Sequence, residues 1–176
     1  MFITSQILVV ISGILFGASY LTNKKNILLI LNIANNIFFG AHYLFLGELT
    51  AGYSVYLTVL FYIAIYLLEK FNKERFNYIV SIVSLIALAI ITWLTWANAL
   101  SILPVIGIAI VYCCTILKNI LLIKIFNFIS CLLSTTFMLI IHSYFGVCVN
   151  IVILITAIVG IVRTILKLKV NKNSKV

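Results

Sequence analysis

The chain has 176 residues, 65% of them hydrophobic and 9% charged, whereas soluble domains average about 25% charged residues. With a mean hydropathy of +1.30, that composition excludes a soluble globular domain and places the chain in a bilayer. The net charge of +9 would point to nucleic acid in a soluble protein. Here the basic residues sit at loop ends and in a tail, where orientation and contact with anionic lipid account for them, and no nucleic-acid partner is expected.

Seven apolar runs follow in chain order: 2–21, 26–46, 51–68, 78–96, 99–117, 119–141 and 145–166. Each is near the roughly 17–25 residues that cross the hydrocarbon. Backbone groups cannot stay unpaired in lipid, so runs of this length without strand-like alternation must be helices. The expected fold class is all-α, a polytopic membrane protein of seven transmembrane helices.

Run one carries Gly13-Ile14-Leu15-Phe16-Gly17, a GxxxG pattern that lets a neighbouring backbone approach. Its first fifteen residues hold no Lys or Arg and the pair Lys24, Lys25 comes after it, the reverse of a cleaved signal peptide. Run two holds Asn32, Asn35 and Asn36, which share a helical face with Phe39 and Tyr43, with His42 at its edge. Run three contains Tyr56 and ends at Glu69; Glu69 with Lys73 and Lys70 with Glu74 have the spacing of i,i+4 ion pairs. Trp93 and Trp96 close run four as an aromatic belt would. Run five holds the only proline, Pro104, where a kink before Gly107 is expected. In run six Lys124, Asn127, Cys131, Ser134, Thr135, Met138 and His142 form one stripe. Run seven contributes Asn150 and Arg163.

All twelve Lys and Arg residues fall on one side of the membrane once the runs are drawn as crossings, at alternate run ends and in the tail, and the other gaps contain none. The positive-inside rule then sets the N-terminus outside and the C-terminus in the cytoplasm. The sequence also repeats: Lys25-Asn26-Ile27-Leu28-Leu29-Ile30 recurs as Lys118-Asn119-Ile120-Leu121-Leu122-Ile123, and the ending His42-Tyr43-Leu44-Phe45-Leu46-Gly47 is echoed by His142-Ser143-Tyr144-Phe145-Gly146. Four crossings separate the copies, so the halves would be parallel. The expected plan is one membrane domain over 1–176, with a three-helix repeat at 2–68, a linker helix at 78–96, a second repeat at 99–166 and a basic cytoplasmic tail at 167–176. Parallel repeats with a midplane site between them are a known transporter plan.

Polar groups inside a membrane are costly and mark function. At about 1.5 Å of rise per residue, Asn35 lies roughly 15 Å from the Lys25 end of its run and Asn127 roughly 13 Å from the Lys118 end, both near mid-membrane. The expected substrate-binding set is Asn35 and Asn127, helped by Asn32, Asn36 and Ser134, with Asn150 and Tyr56 lining the outer approach. The plain alternative is hydrogen bonding between helices without a ligand. Gating candidates are Lys124, whose stem has the reach to snorkel to the headgroups or to line an inward-open cavity, an ion pair of Arg163 with Glu69, His42 and His142 at the outer side, and Pro104 as a hinge.

No metal or cofactor is expected. Cys113, Cys114, Cys131 and Cys148 lie inside apolar runs without CxxC spacing, and two histidines leave zinc under-coordinated. No nucleophile elbow, Walker loop or HExxH sequence is present, so an enzyme is not expected. Glu48, Glu69 and Glu74 are the only acids and lie at loop ends. A passive carrier therefore fits better than a proton pump.

The segments Gly40-Ala41-His42-Tyr43-Leu44-Phe45-Leu46-Gly47, Ala51-Gly52, Leu103-Pro104-Val105-Ile106-Gly107, His142 with Phe145-Gly146, and Arg163 resemble the landmarks of the YgjV-type bacterial inner membrane proteins. That resemblance implies the bacterial inner membrane as the location. The three-plus-one-plus-three plan is also similar to the SWEET sugar carriers and the PnuC vitamin-precursor carriers, which implies facilitated diffusion of a small polar metabolite. The rival readings are a substrate-binding component of a larger uptake complex, docking through the Gly13/Gly17 stripe, and a membrane scaffold without a cavity. Whether the chain forms a homo-oligomer stays open.

Overall fold

The computed structural model describes residues 2–96, 99–115 and 119–173. Seven α-helices occupy them: α1 (Phe2–Leu21), α2 (Lys25–Phe45), α3 (Leu49–Lys70), α4 (Asn77–Leu94), α5 (Ile102–Thr115), α6 (Ile120–Ile140) and α7 (Tyr144–Asn173), with 3-10 turns at Glu74–Phe76 and Ala99–Ser101. No strand occurs among the described residues.

Three of the helices stop by the same device. Gly47, Asn72 and His142 each take a left-handed conformation, with φ of 82°, 55° and 57°. The residue after each donates back across the last turn: Glu48 N to Tyr43 O at 3.0 Å, Lys73 N to Leu68 O at 2.7 Å and Ser143 N to Met138 O at 2.9 Å. This is the Schellman ending, which satisfies carbonyls that a bare helix end would leave open. Because α3 ends at Lys70, Glu69 with Lys73 and Lys70 with Glu74 do not lie on one helix, and the expected i,i+4 spacing is lost.

Six helices are long and apolar enough to cross a bilayer, α1 to α4, α6 and α7, and the segment Ala99–Cys114 is a shorter apolar helix. Of the seven expected spans, six have full length among the described residues. Residues 116–118, which would end run five, lie outside the described residues, as does Lys118. Pro104, the expected site of a kink before Gly107, is the third residue of α5, directly after the 3-10 turn Ala99–Ser101, and a first-turn proline is tolerated there because its missing N–H is not needed by the α-helix.

The packing closes a ring. α1 packs on α2, α2 on α3, α3 on α5, α5 on α6, α6 on α7 and α7 on α1, while α4 lies outside against α3 and α5. Side-chain bonds tie Ser5 to His42 and Thr50 to Thr95 at one end, and Lys25 to Glu69 and Lys124 to both Asn23 and Thr164 at the other, the basic end. Successive helices therefore alternate in direction. The outer faces carry Ile, Leu and Val, among them Ile14, Leu60, Ile86 and Val152, and Trp93 is 84% exposed near the end of α4. Inside, Tyr43, Phe61, Tyr112, Phe137 and Met138 form a buried cluster, and the Phe61 and Tyr112 rings meet at 4.3 Å across α3 and α5.

Glycine makes the α1–α7 contact close. A Cβ on Gly160 would collide with the carbonyl oxygen of Tyr20, and one on Gly13 with Val149. The Gly13/Gly17 stripe is thus packed within the chain against α7.

Candidate functional site: a polar cavity inside the ring

The apolar outer faces of these helices need no partner but lipid, so their polar residues turn inward, where other helices satisfy them. Ser12 Oγ of α1 donates to Asn35 Oδ1 of α2 at 2.6 Å, both buried. Tyr43 and Ser134 share a 2.8 Å bond from α2 to α6. Thr58 of α3 meets the Tyr112 hydroxyl of α5 at 3.1 Å. Between these bonds lies a cavity of about 70 Å³, bordered by all six ring helices. It has room for a few waters, each needing about 10–15 Å³ of such space.

Of the residues expected from sequence, Asn35, Asn36, Asn127, Ser134, Asn150 and Pro104 border this cavity. Asn127 is buried with no hydrogen-bond partner among the described residues, and Asn150 reaches Met138 Sδ at 3.4 Å. Asn36 Nδ2 donates to the Asn32 carbonyl at 2.6 Å. Asn32 itself is fully buried, and neither of its side-chain amide atoms has a partner. Aromatic rings complete the wall: Phe16, Phe39, Tyr43 and Tyr62. No charged side chain borders it. Ser12, Thr58 and Ser130 also line the cavity. Their only mark in the sequence is a small hydroxyl inside an apolar run, a residue type common in transmembrane helices without any site.

The other expected residues lie elsewhere. Tyr56 does not border the cavity. It sits half-buried over Gly40 and in the groove between α3 and α4, because Val55 and Thr58 take the inward face of α3. Lys124 is 1% exposed, and its stem carries the ammonium towards the basic end of the bundle, where it donates to Thr164 Oγ1 at 2.9 Å and to Oδ1 of the exposed Asn23 at 3.3 Å. Glu69 pairs with Lys25 at 2.5 Å rather than with Arg163, which is exposed on α7 one residue before buried Thr164. The two histidines are not counterparts. His42 is fully buried, with Nδ1 against Ser5 Oγ at 2.7 Å and Ser5 O at 2.9 Å, whereas His142 is an exposed helix-ending residue whose ring lies beside Tyr144.

Apolar spanning helices folded round a buried polar cavity define an integral membrane protein of multi-pass type. The family described as bacterial inner membrane protein, Imp-YgjV, matches residues 3–167. The chain belongs to that family and is a protein of the bacterial inner membrane. Neither the curated proteins nor the solved structures returned a match to it.

Proposed function

We propose that the protein is a carrier that lets a small polar solute, sugar-like or vitamin-precursor-like, diffuse across the inner membrane through a site between two three-helix halves. The observation that carries this reading is the convergence of amides, hydroxyls and rings from six helices on one buried cavity. Asn35 is bonded to Ser12 and not to Asn127, and both amides border the cavity. That arrangement supports a cavity between the two amides rather than a direct bond joining them. The uncharged wall fits hydrogen bonding to a neutral polar portion of the solute, with flat rings to pack against its apolar faces.

The two-half plan draws support from the register. α2 and α6 are displaced by 95 residues at both ends, Lys25 to Ile120 and Phe45 to Ile140, and the starts of α3 and α7 by the same, Leu49 to Tyr144. The same displacement relates cavity residues pairwise: Asn35 to Ser130, Phe39 to Ser134, Val55 to Asn150 and Thr58 to Ile153. Asn32 corresponds to Asn127 on this register. The Ser12–Asn35 bond corresponds to the close contact of Gly107 with Ser130. A two-fold axis along the bundle would likewise exchange the α1–α7 contact with α5–α3 and leave α4 as the linker. The identity at Lys25 and Lys118 is displaced by 93 residues, two out of step with this register. Orientation with the basic end in the cytoplasm rests on the positive-inside rule.

The test is uptake into proteoliposomes. Saturable uptake of one solute from a panel of labelled sugars and vitamin precursors, without ATP or a pH gradient, is expected for the wild type and lost in Asn127→Leu. Equal uptake by the variant removes Asn127 from the site.

A further inference from the structure

The 95-residue register brings together two positions that differ in a telling way. Glu69 near the end of α3 corresponds to Thr164 of α7, and Leu29 of α2 to Lys124 of α6. In the first half the carboxylate of Glu69 pairs with Lys25 and Leu29 is fully buried in the apolar core. In the second half a lysine stands at the core leucine's position and a threonine at the carboxylate's. Lys124 is consequently buried at 1% exposure, with two neutral oxygens, on Thr164 and Asn23, as its partners.

A buried ammonium held only by neutral acceptors is costly, and intramembrane cations are kept where they serve a ligand or a pathway. The fold does not require it, since the twin half accepts leucine there. Glu69, an acid at this end of the ring, is already paired with Lys25. An ammonium has three donors, and two are engaged. Lys124 lies three residues before Asn127 on the same helical stripe, about 4.5 Å along the axis from the Cα of that cavity residue.

We propose that Lys124, with Thr164 and Asn23 beside it, is an anion-recognising station at the cytoplasmic mouth of the cavity, taking a carboxylate or phosphate group in place of the counter-ion that the first half supplies from Glu69. Resting on the carrier reading above, this assigns the transported solute an anionic group on an otherwise neutral polar body. Binding exchanges the two neutral oxygens for the anion. The same exchange unfastens α6 from α7 and from the α1–α2 connection, so ligand capture and opening of this end are one event.

The probe is inorganic phosphate with the purified full chain in maltoside detergent, read as melting temperature against sodium chloride of equal ionic strength. Near ten times its Kd, phosphate raises the wild-type melting temperature by about 3 °C. Lys124→Met, which imitates the leucine of the twin half, shows no such rise. Thr164→Glu, which restores the twin half's carboxylate, melts higher than wild type without phosphate and does not respond to it. Thr164→Val keeps the response, because the ammonium remains. A parallel series with phosphatidylglycerol added separates the sources: stabilisation by the lipid alone, lost in Lys124→Met, assigns the station to a lipid headgroup. Equal shifts in wild type and Lys124→Met, or no shift with either additive, overturn the station.

The carrier reading is checked separately by a water-soluble maleimide on Cys131, which borders the cavity, in a chain carrying Cys113→Ala, Cys114→Ala and Cys148→Ala. A labelled Cys131 without a phosphate response sinks the station and leaves the carrier standing. A phosphate response with unreactive Cys131 keeps the station and removes the carrier.

Discussion

Asn32, Asn35 and Asn127 are the same residue type at similar depth, yet their surroundings give them different consequences on substitution. Asn35 accepts from Ser12, so Asn35→Leu strands a hydroxyl and should cost about 0.6–1.7 kcal/mol, as single interhelical bonds in membranes do. Asn32 is fully buried with both amide atoms unpartnered. Removing an unsatisfied buried group relieves its desolvation penalty, so Asn32→Leu should stabilise the fold by about 1–3 kcal/mol; a lower melting temperature for the variant would show that the amide is satisfied. Asn127 spends no protein hydrogen bond among the described residues, so Asn127→Leu should lose uptake and keep its melting temperature. An asparagine in an apolar run is visible from the sequence alone. Whether it is bonded, stranded or facing a cavity depends on the neighbouring helix, which no single stretch of sequence specifies.

Among the elements, the α1–α7 contact is the one most sensitive to a single atom. Gly160 lies where a Cβ would strike the backbone of Tyr20, which cannot step aside, whereas a Cβ on Gly17 would make a 3.4 Å contact with Thr156 Oγ1. Gly160→Ala should therefore destabilise by about 1–3 kcal/mol and Gly17→Ala by clearly less, measured by thermal melts in detergent; equal melting temperatures would mean that the helices part freely. The GxxxG pattern in run one announced close packing, but Gly160, which meets Tyr20 from α7, is fourteen residues from Gly146, the other glycine of its run, and gave no such signal. Helix α5 shows the same limit in another way. Pro104 reads as a kink before Gly107 if the run is helical from residue 99; with a 3-10 turn at Ala99–Ser101 the proline falls in the first turn of α5. Pro104→Ala should accordingly leave the stability within about 0.5 kcal/mol of wild type, read from thermal melts, and a larger change would restore the kink.

For the molecule as a whole, orientation is the open quantity with the most direct check. Glu48 lies in the α2–α3 connection and Asn72 in the turn after α3, at opposite ends of the ring. In intact cells Glu48→Cys should react with an impermeant maleimide and Asn72→Cys should not, until the membrane is opened. The reverse pattern would invert the topology and move Lys124 to the outer mouth.

Composition and the lengths of the apolar runs determined the membrane class and the all-helical fold, because a bilayer leaves the backbone no other way to satisfy itself. The placement of basic residues determined the two ends of the bundle. The tertiary structure alone decided which polar residues meet. It brought Asn127 and Asn35 to one cavity, turned Tyr56 away from it, parted His42 from His142, and paired Glu69 with Lys25 while leaving Lys124 among neutral oxygens. The reason is that helical periodicity gives each residue a face, but the rotation of that helix against its neighbours, and hence what the face meets, is a property of the packed ring.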